Sequence, residues 1–206
     1  MSVKVLFLNG TLKKSPQESN TEALIKKSAD VFSKEGAETE VIRLVDYNID
    51  YGIMEEDEGD DEWLGIHNKI MEADILVIAT PIWLGEKSSI ITKALERLNG
   101  VSSKTNSKGQ SIFYNKAGGV VVTGNEDGAQ SVSRSVLYSL SQLGFTIPPN
   151  VDTYWVGEAG PGASYIEGGK ENDFTKQQVS MMSYNLLHFA RMLKDHPIPA
   201  EGNTLE

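Results

Sequence analysis

The chain has 206 residues, enough for one well-buried domain or at most two small ones. Its net charge of −10 disfavours nucleic acid or an anionic membrane surface as partner. The absence of cysteine excludes disulfides, thiol nucleophiles and cysteine-held iron–sulfur clusters or zinc.

From the N-terminus, VKVLFLNG (from Val3) reads as a buried strand. LNGTLKKSPQESNTEALI follows, a polar loop leading into a helix from Thr21 that stops at Gly36. ETEVIRLV (from Glu38) alternates as a second strand, and the acidic run EEDEGDDE (from Glu55) follows it. DEWLGIHNKIMEA (from Asp61) has helical spacing, and DILVIATPI (from Asp74) is a β-branched third strand. SSIITKALERLNG (from Ser88) is a helix closed by Asn99-Gly100, and VSSKTNSKGQ (from Val101) a polar loop. AGGVVVTGN (from Ala117) is the fourth strand, and GAQSVSRSVLYSLSQLG (from Gly128) the next helix. FTIPPNVDTYWVG (from Phe145) is a fifth extended segment broken by two prolines. A glycine-rich loop from Gly157 and a long helix from Phe174 complete the series.

Strand and helix alternate five times, which predicts one three-layer α/β domain over residues 1–206 with a parallel sheet buried on both faces. Ligands of such sheets bind beyond the carboxyl ends of the strands. That rule singles out the loops after Leu8, Ile82 and Val122. No segment approaches the roughly 20 apolar residues of a membrane span. The start MSVKVLFLNG is too short in its apolar part for a secretory signal, so a cytoplasmic protein is expected.

The first loop brings Thr11, Ser15, Ser19, Asn20 and Thr21, with Lys13 and Lys14, to a helix N-terminus. Such a terminus has free N–H groups and a partial positive charge and so favours an anion. Ser19-Asn20-Thr21-Glu22 also matches a capping box, so capping and phosphate binding both stand, and Glu22 lies awkwardly close to a phosphate. Neither G-x-x-x-x-G-K-[ST] nor G-x-G-x-x-G is present, which leaves a monophosphate as the fitting ligand. After the third strand, Pro81, Ile82, Trp83, Leu84 and Gly85 present apolar groups and a tight turn to a flat ligand; Trp83 as core or subunit packing is the competing reading. After the fourth, TGNEDGAQ offers small residues and Asn125, with Asp127 and Gln130 reading as a second capping box and Glu126 as a solvated carboxylate. The acidic run lacks EF-hand spacing and reads as a solvated loop whose last members, Asp60, Asp61 and Glu62, favour a helix start. His67, His188 and His196 are scattered, so no metal site is expected. Tyr154-Trp155 and Ser164-Tyr165 either border the ligand or pack internally.

These loops together resemble the flavodoxin-like NAD(P)H-dependent FMN reductases. LNGTLKKSPQESNTEAL resembles that family's G-S-x-R…S/G-N-T pattern, and ATPIWLGEKSSIITKALERL its T/S-P-x-Y/W-x-G-x-x-S…K…R segment. VVVTGNEDGA resembles its third flavin loop. The resemblance implies a doubly wound sheet of five parallel strands in the order 2-1-3-4-5. It implies FMN with its phosphate on Thr11, Lys13, Ser19, Asn20 and Thr21. The ring system would lie on Pro81, Ile82, Trp83, Leu84 and Gly85, with Thr123, Gly124, Asn125 and Gly128 on its polar edge. It implies NAD(P)H as co-substrate, a quinone, flavin, nitro or azo compound as acceptor, and a homodimer or homotetramer. The flavin would carry the chemistry, so no catalytic side chain is nominated. Backbone N–H groups near Gly128 would stabilise negative charge on the reduced ring. Lys13 stands where the family pattern has arginine. Two alternatives are a flavodoxin-like electron carrier, against which the missing T-x-T-G-x-T loop counts, and a non-enzymatic flavin-binding module.

Overall fold

The computed structural model describes residues 2–53, 59–160 and 162–205. At its centre is a sheet built from β1 (Lys4–Asn9), β2 (Glu38–Arg43), β3 (Ile75–Trp83), β5 (Ala117–Gly124) and β6 (Asp152–Val156), ordered β2-β1-β3-β5-β6. All four pairings along that path are parallel, with Val5 opposite Ile75 and Ile75 opposite Ala117. β1, β3 and β5 are almost continuously buried, because helices cover both faces of the sheet. Alternate strand residues enter different cores: Leu6, Leu8, Leu76 and Ile78 pack toward α2 (Trp63–Glu72), α3 (Ser89–Asn99) and α4 (Ala129–Leu143). Val5, Phe7, Ile75 and Val77 pack toward α1 (Asn20–Lys34) and α5 (Asp173–Asp195).

The described residues form six strands rather than the five expected. The addition is β4 (Glu86–Lys87), which folds back antiparallel on the end of β3, Trp83 opposite Glu86. Leu84 and Gly85 make the turn with φ of 52° and 78°, the signs demanded by a two-residue hairpin whose twist matches its strands. A strand of two residues leaves no periodicity to read.

Residues 55–58 of the acidic run lie outside the described residues. Asp60 and Glu62 at its end are exposed as expected, but Asp61 is buried, accepting from the amides of Asp50 (3.2 Å) and Trp63 (3.1 Å) and from Arg97 Nη1 (2.5 Å). Both side chains of that ion pair are fully buried. Burial alone would raise the Asp61 pKa, but these three hydrogen bonds and the guanidinium charge outweigh it and hold the carboxyl below its ordinary range. The pair anchors the segment before α2 onto α3. No helix among the described residues is long and apolar enough to cross a membrane.

Candidate functional site

A cleft of about 480 Å³ opens beyond the carboxyl ends of β1, β3, β5 and β6. Its first wall is the β1–α1 loop, where Thr11, Lys13, Ser19, Asn20 and Thr21 all line the space. The loop is shaped by fixed polar contacts. Asn9, fully buried at the end of β1, accepts from Thr11 N (3.0 Å), and Thr11 Oγ1 accepts from Lys13 N (3.3 Å). Outside the cleft, Ser15 donates from its amide (2.9 Å) and hydroxyl (2.6 Å) to Asp46. Arg43, from the end of β2, donates to the carbonyls of Gln17 (2.9 Å) and Lys13 (3.2 Å).

Ser19 caps α1, accepting from Glu22 N at 3.2 Å. The box is only half made, because the Glu22 carboxylate turns instead to Asn9 Nδ2 (3.3 Å) and to the Arg43 guanidinium. The charge of Glu22 is thereby matched by a cation, which removes the objection that it sits beside an anion site. The amides of Asn20 and Thr21 precede the intrahelical ladder and stand free of it. Lys13 lines the cleft and also donates from Nζ to Glu18 O (3.2 Å); Lys14 does not line it.

The second wall is the end of β3, with Pro81, Ile82 and the half-exposed Trp83. The third is the end of β5, with Thr123, Gly124 and Asn125. Thr21 and Thr123, both buried, share a hydrogen bond of 2.9 Å that ties the start of α1 to the end of β5.

Leu84, Gly85 and Gly128 do not line the cleft, contrary to expectation. Leu84 is the tip of the hairpin and 94% exposed. Gly85 and Gly128 meet behind the wall: a Cβ on Gly128, whose φ is 127°, would lie 2.7 Å from Gly85 Cα. Asp127 does not cap α4, which begins after Gly128 and has no side-chain cap. Glu126 lines the cleft and accepts from Leu84 N (3.0 Å), joining the second and third walls.

A fourth wall was only half read from the sequence. Trp155, Gly160 and Tyr165 close the far side, and Leu12 the rim. Trp155 is the penultimate residue of β6, and Tyr165 opens a single π-helical turn, Tyr165–Gly169, with their rings edge to face at 5.7 Å. A Cβ on Gly169 would fall within 2.6 Å of both rings, so only glycine fits there. Asn125 Nδ2 holds the intervening loop through Gly162 O (3.0 Å). The local signal was the run of glycines, which marks close packing without naming its partner. Among the described residues no group of three or more His, Asp or Glu side chains is placed to hold a metal ion.

The family model described as NADPH-dependent FMN reductase matches residues 3–159. The chain is 44% identical over 199 residues to "Divalent metal cation transporter MntH" of Mycobacterium bovis, covering 93% of this chain but only 29% of that protein's length. It is 42% identical over 207 residues to "8-demethyl-8-aminoriboflavin-5′-phosphate synthase" of Streptomyces davaonensis, covering 96% of this chain and 80% of that one. Among solved structures, RosB with bound 8-demethyl-8-formylriboflavin-5′-phosphate superposes with a TM-score of 0.90 at 42% identity, covering 96% of this chain and 82% of that one. With its doubly wound sheet and a match over most of its length, the chain belongs to the NADPH-dependent FMN reductase family.

Proposed function

We propose that the cleft holds FMN and that the protein passes reducing equivalents from NAD(P)H to a small acceptor such as a quinone, flavin, nitro or azo compound. The observation that carries this reading is the union, in one cleft, of an anion-binding helix start and a flat apolar wall. The donor set fits a monophosphate: hydroxyls of Thr11, Ser19 and Thr21, the Asn20 amide, the Lys13 ammonium and free first-turn N–H groups. Arg43 neutralises Glu22, so that carboxylate adds no unmatched negative charge beside the helix start. Pro81, Ile82 and Trp83 would support the ring face, and Thr123, Gly124 and Asn125 its polar edge. Leu84, Gly85 and Gly128 would brace these walls from behind. The volume suits a cofactor of this size. FMN so held supplies hydride acceptance from a nicotinamide and onward transfer. The protein's own task is binding, orientation and exclusion of water. A single domain over 1–206, a homodimer or homotetramer and a cytoplasmic location belong to the same proposal.

The test is the absorption spectrum of the purified protein, followed by anaerobic stopped-flow bleaching with NADPH and NADH. A flavin that neither nucleotide bleaches would refute the reductase reading. A second reading has the flavin phosphate as substrate rather than resident cofactor. It is favoured by the 42% identity and TM-score of 0.90 to a structure holding a modified riboflavin phosphate. Mass spectrometry of FMN after aerobic incubation with the protein and an amine donor tests it, and an unaltered flavin mass would refute it.

A further inference from the structure

The fourth wall of the cleft carries two hydrogen-bond donors that the chain itself does not use. Trp155 is 8% exposed and Tyr165 2%, yet both line the cleft. Neither the indole N–H nor the phenolic hydroxyl bonds to any other described residue. The phenolic oxygen is not among the buried groups cut off from both solvent and protein partners, so it is open to the cleft, where a ligand acceptor can take the place of water. Their positions are held firmly. The rings touch edge to face, and Gly157 and Gly169 leave the slots that the indole fills. Ser164 and Glu167 close a reciprocal capping box around the turn, with Ser164 N donating to Glu167 at 2.8 Å.

The turn is also fastened to the helix start. Ile166 N donates at 3.0 Å to Asn20 Oδ1, 146 positions away in the chain, which sets the neighbouring Tyr165 beside the first residue of α1. Burial, with the Glu171 charge adding to it, raises the Tyr165 pKa, so the phenol stays protonated and remains a donor across the physiological range.

We propose that Tyr165, braced by Trp155, donates its hydroxyl hydrogen bond to the phosphate of the bound flavin and makes the cleft selective for flavin 5′-phosphate over unphosphorylated flavin. This rests on the flavin-phosphate reading of the cleft and is the same whether that flavin is cofactor or substrate. Lys13 and the α1 amides meet the phosphate from one side and Tyr165 from the other. Tyr165 is therefore a positioning and specificity residue.

The experiment is Tyr165→Phe, which removes the oxygen and keeps the ring contact with Trp155. Dissociation constants for FMN and riboflavin are measured by flavin fluorescence quenching on flavin-stripped protein, with a thermal melt of each variant. The expected result is an FMN dissociation constant raised about 10- to 100-fold, the loss of one hydrogen bond to a charged group, with riboflavin binding unchanged. An unchanged FMN constant, or an equal loss for both flavins, overturns the assignment while leaving the flavin cleft intact. Failure of the wild-type protein to bind either flavin overturns the cleft reading and this inference with it.

Discussion

The buried ion pair between Asp61 and Arg97 gives a sharp test of what holds the segment before α2. In Asp61→Asn the residue keeps its size but exchanges one carboxylate oxygen for an NH₂ group. With the remaining oxygen kept on the amides of Asp50 and Trp63, the new NH₂ meets Arg97 Nη1, donor against donor. Turning the amide over satisfies Arg97 and abandons both backbone amides. Since neither side chain of the pair is exposed, water cannot repair the loss. Removing one partner of a buried pair costs about 3–5 kcal/mol. In a chain of this size that lowers the melting temperature by about 6–20 °C, at 2–4 °C per kcal/mol. Urea unfolding of flavin-free protein at pH 7 measures it directly, free of ligand linkage. The sign with pH is fixed too. The folded pKa of Asp61 lies below its ordinary value of 3.8, so its contribution is complete above that value and lost as pH falls through the folded pKa. The gap between wild type and variant should therefore close in acid. A cost below about 1 kcal/mol at pH 7 would refute the role given to the pair.

Gly128→Ala forces a side chain into a φ of 127° and against the backbone of Gly85, and should cost about 2 kcal/mol and weaken flavin binding. Gly36→Ala, at a φ of 78° with open space around it, should cost about 1 kcal/mol in urea unfolding and leave flavin binding alone. Lys116 donates to the carbonyls of Met71 (2.7 Å) and Ala73 (2.6 Å), and burial lowers its pKa to about 8 against the partial opposition of Asp74. Between pH 8 and 10.5 the unfolded chain then binds more protons than the folded one, so this residue makes stability rise with pH. Urea unfolding across that range should show a flatter profile in Lys116→Met; identical slopes would contradict it.

What the sequence disclosed was whatever depends on neighbours in the chain. The apolar runs of β1, β3 and β5 mark themselves, as do the glycine and cap signals that bound α1. The β1–α1 loop was legible because hydroxyls and a lysine gather at a strand-to-helix junction, and the strand order turns that junction toward the other two loops. Long-range partners were not legible. Asp61 looked like one more solvated acid because Arg97 lies 36 residues on. Glu22 looked like a hazard because nothing nearby announces Arg43, 21 residues away. Asp127 matched a cap pattern, yet the close approach of Gly128 to Gly85 fixes where α4 begins, and that is a property of two loops at once. Tyr165 was marked only by the glycine-rich loop before it, with ligand contact and internal packing both open, because the turn it opens is fastened to Asn20 at the other end of the chain.

The contact between Gly85 and Gly128, with Glu126 bridging to the hairpin tip, has a thermodynamic consequence for ligand capture. Two loops that met only through a ligand would each surrender conformational freedom on binding, a cost drawn from the affinity. Here the backbone-to-backbone approach settles their relative position as the chain folds. The cleft is in this sense preorganised along two of its walls, and that share of the ordering cost is met before a ligand arrives.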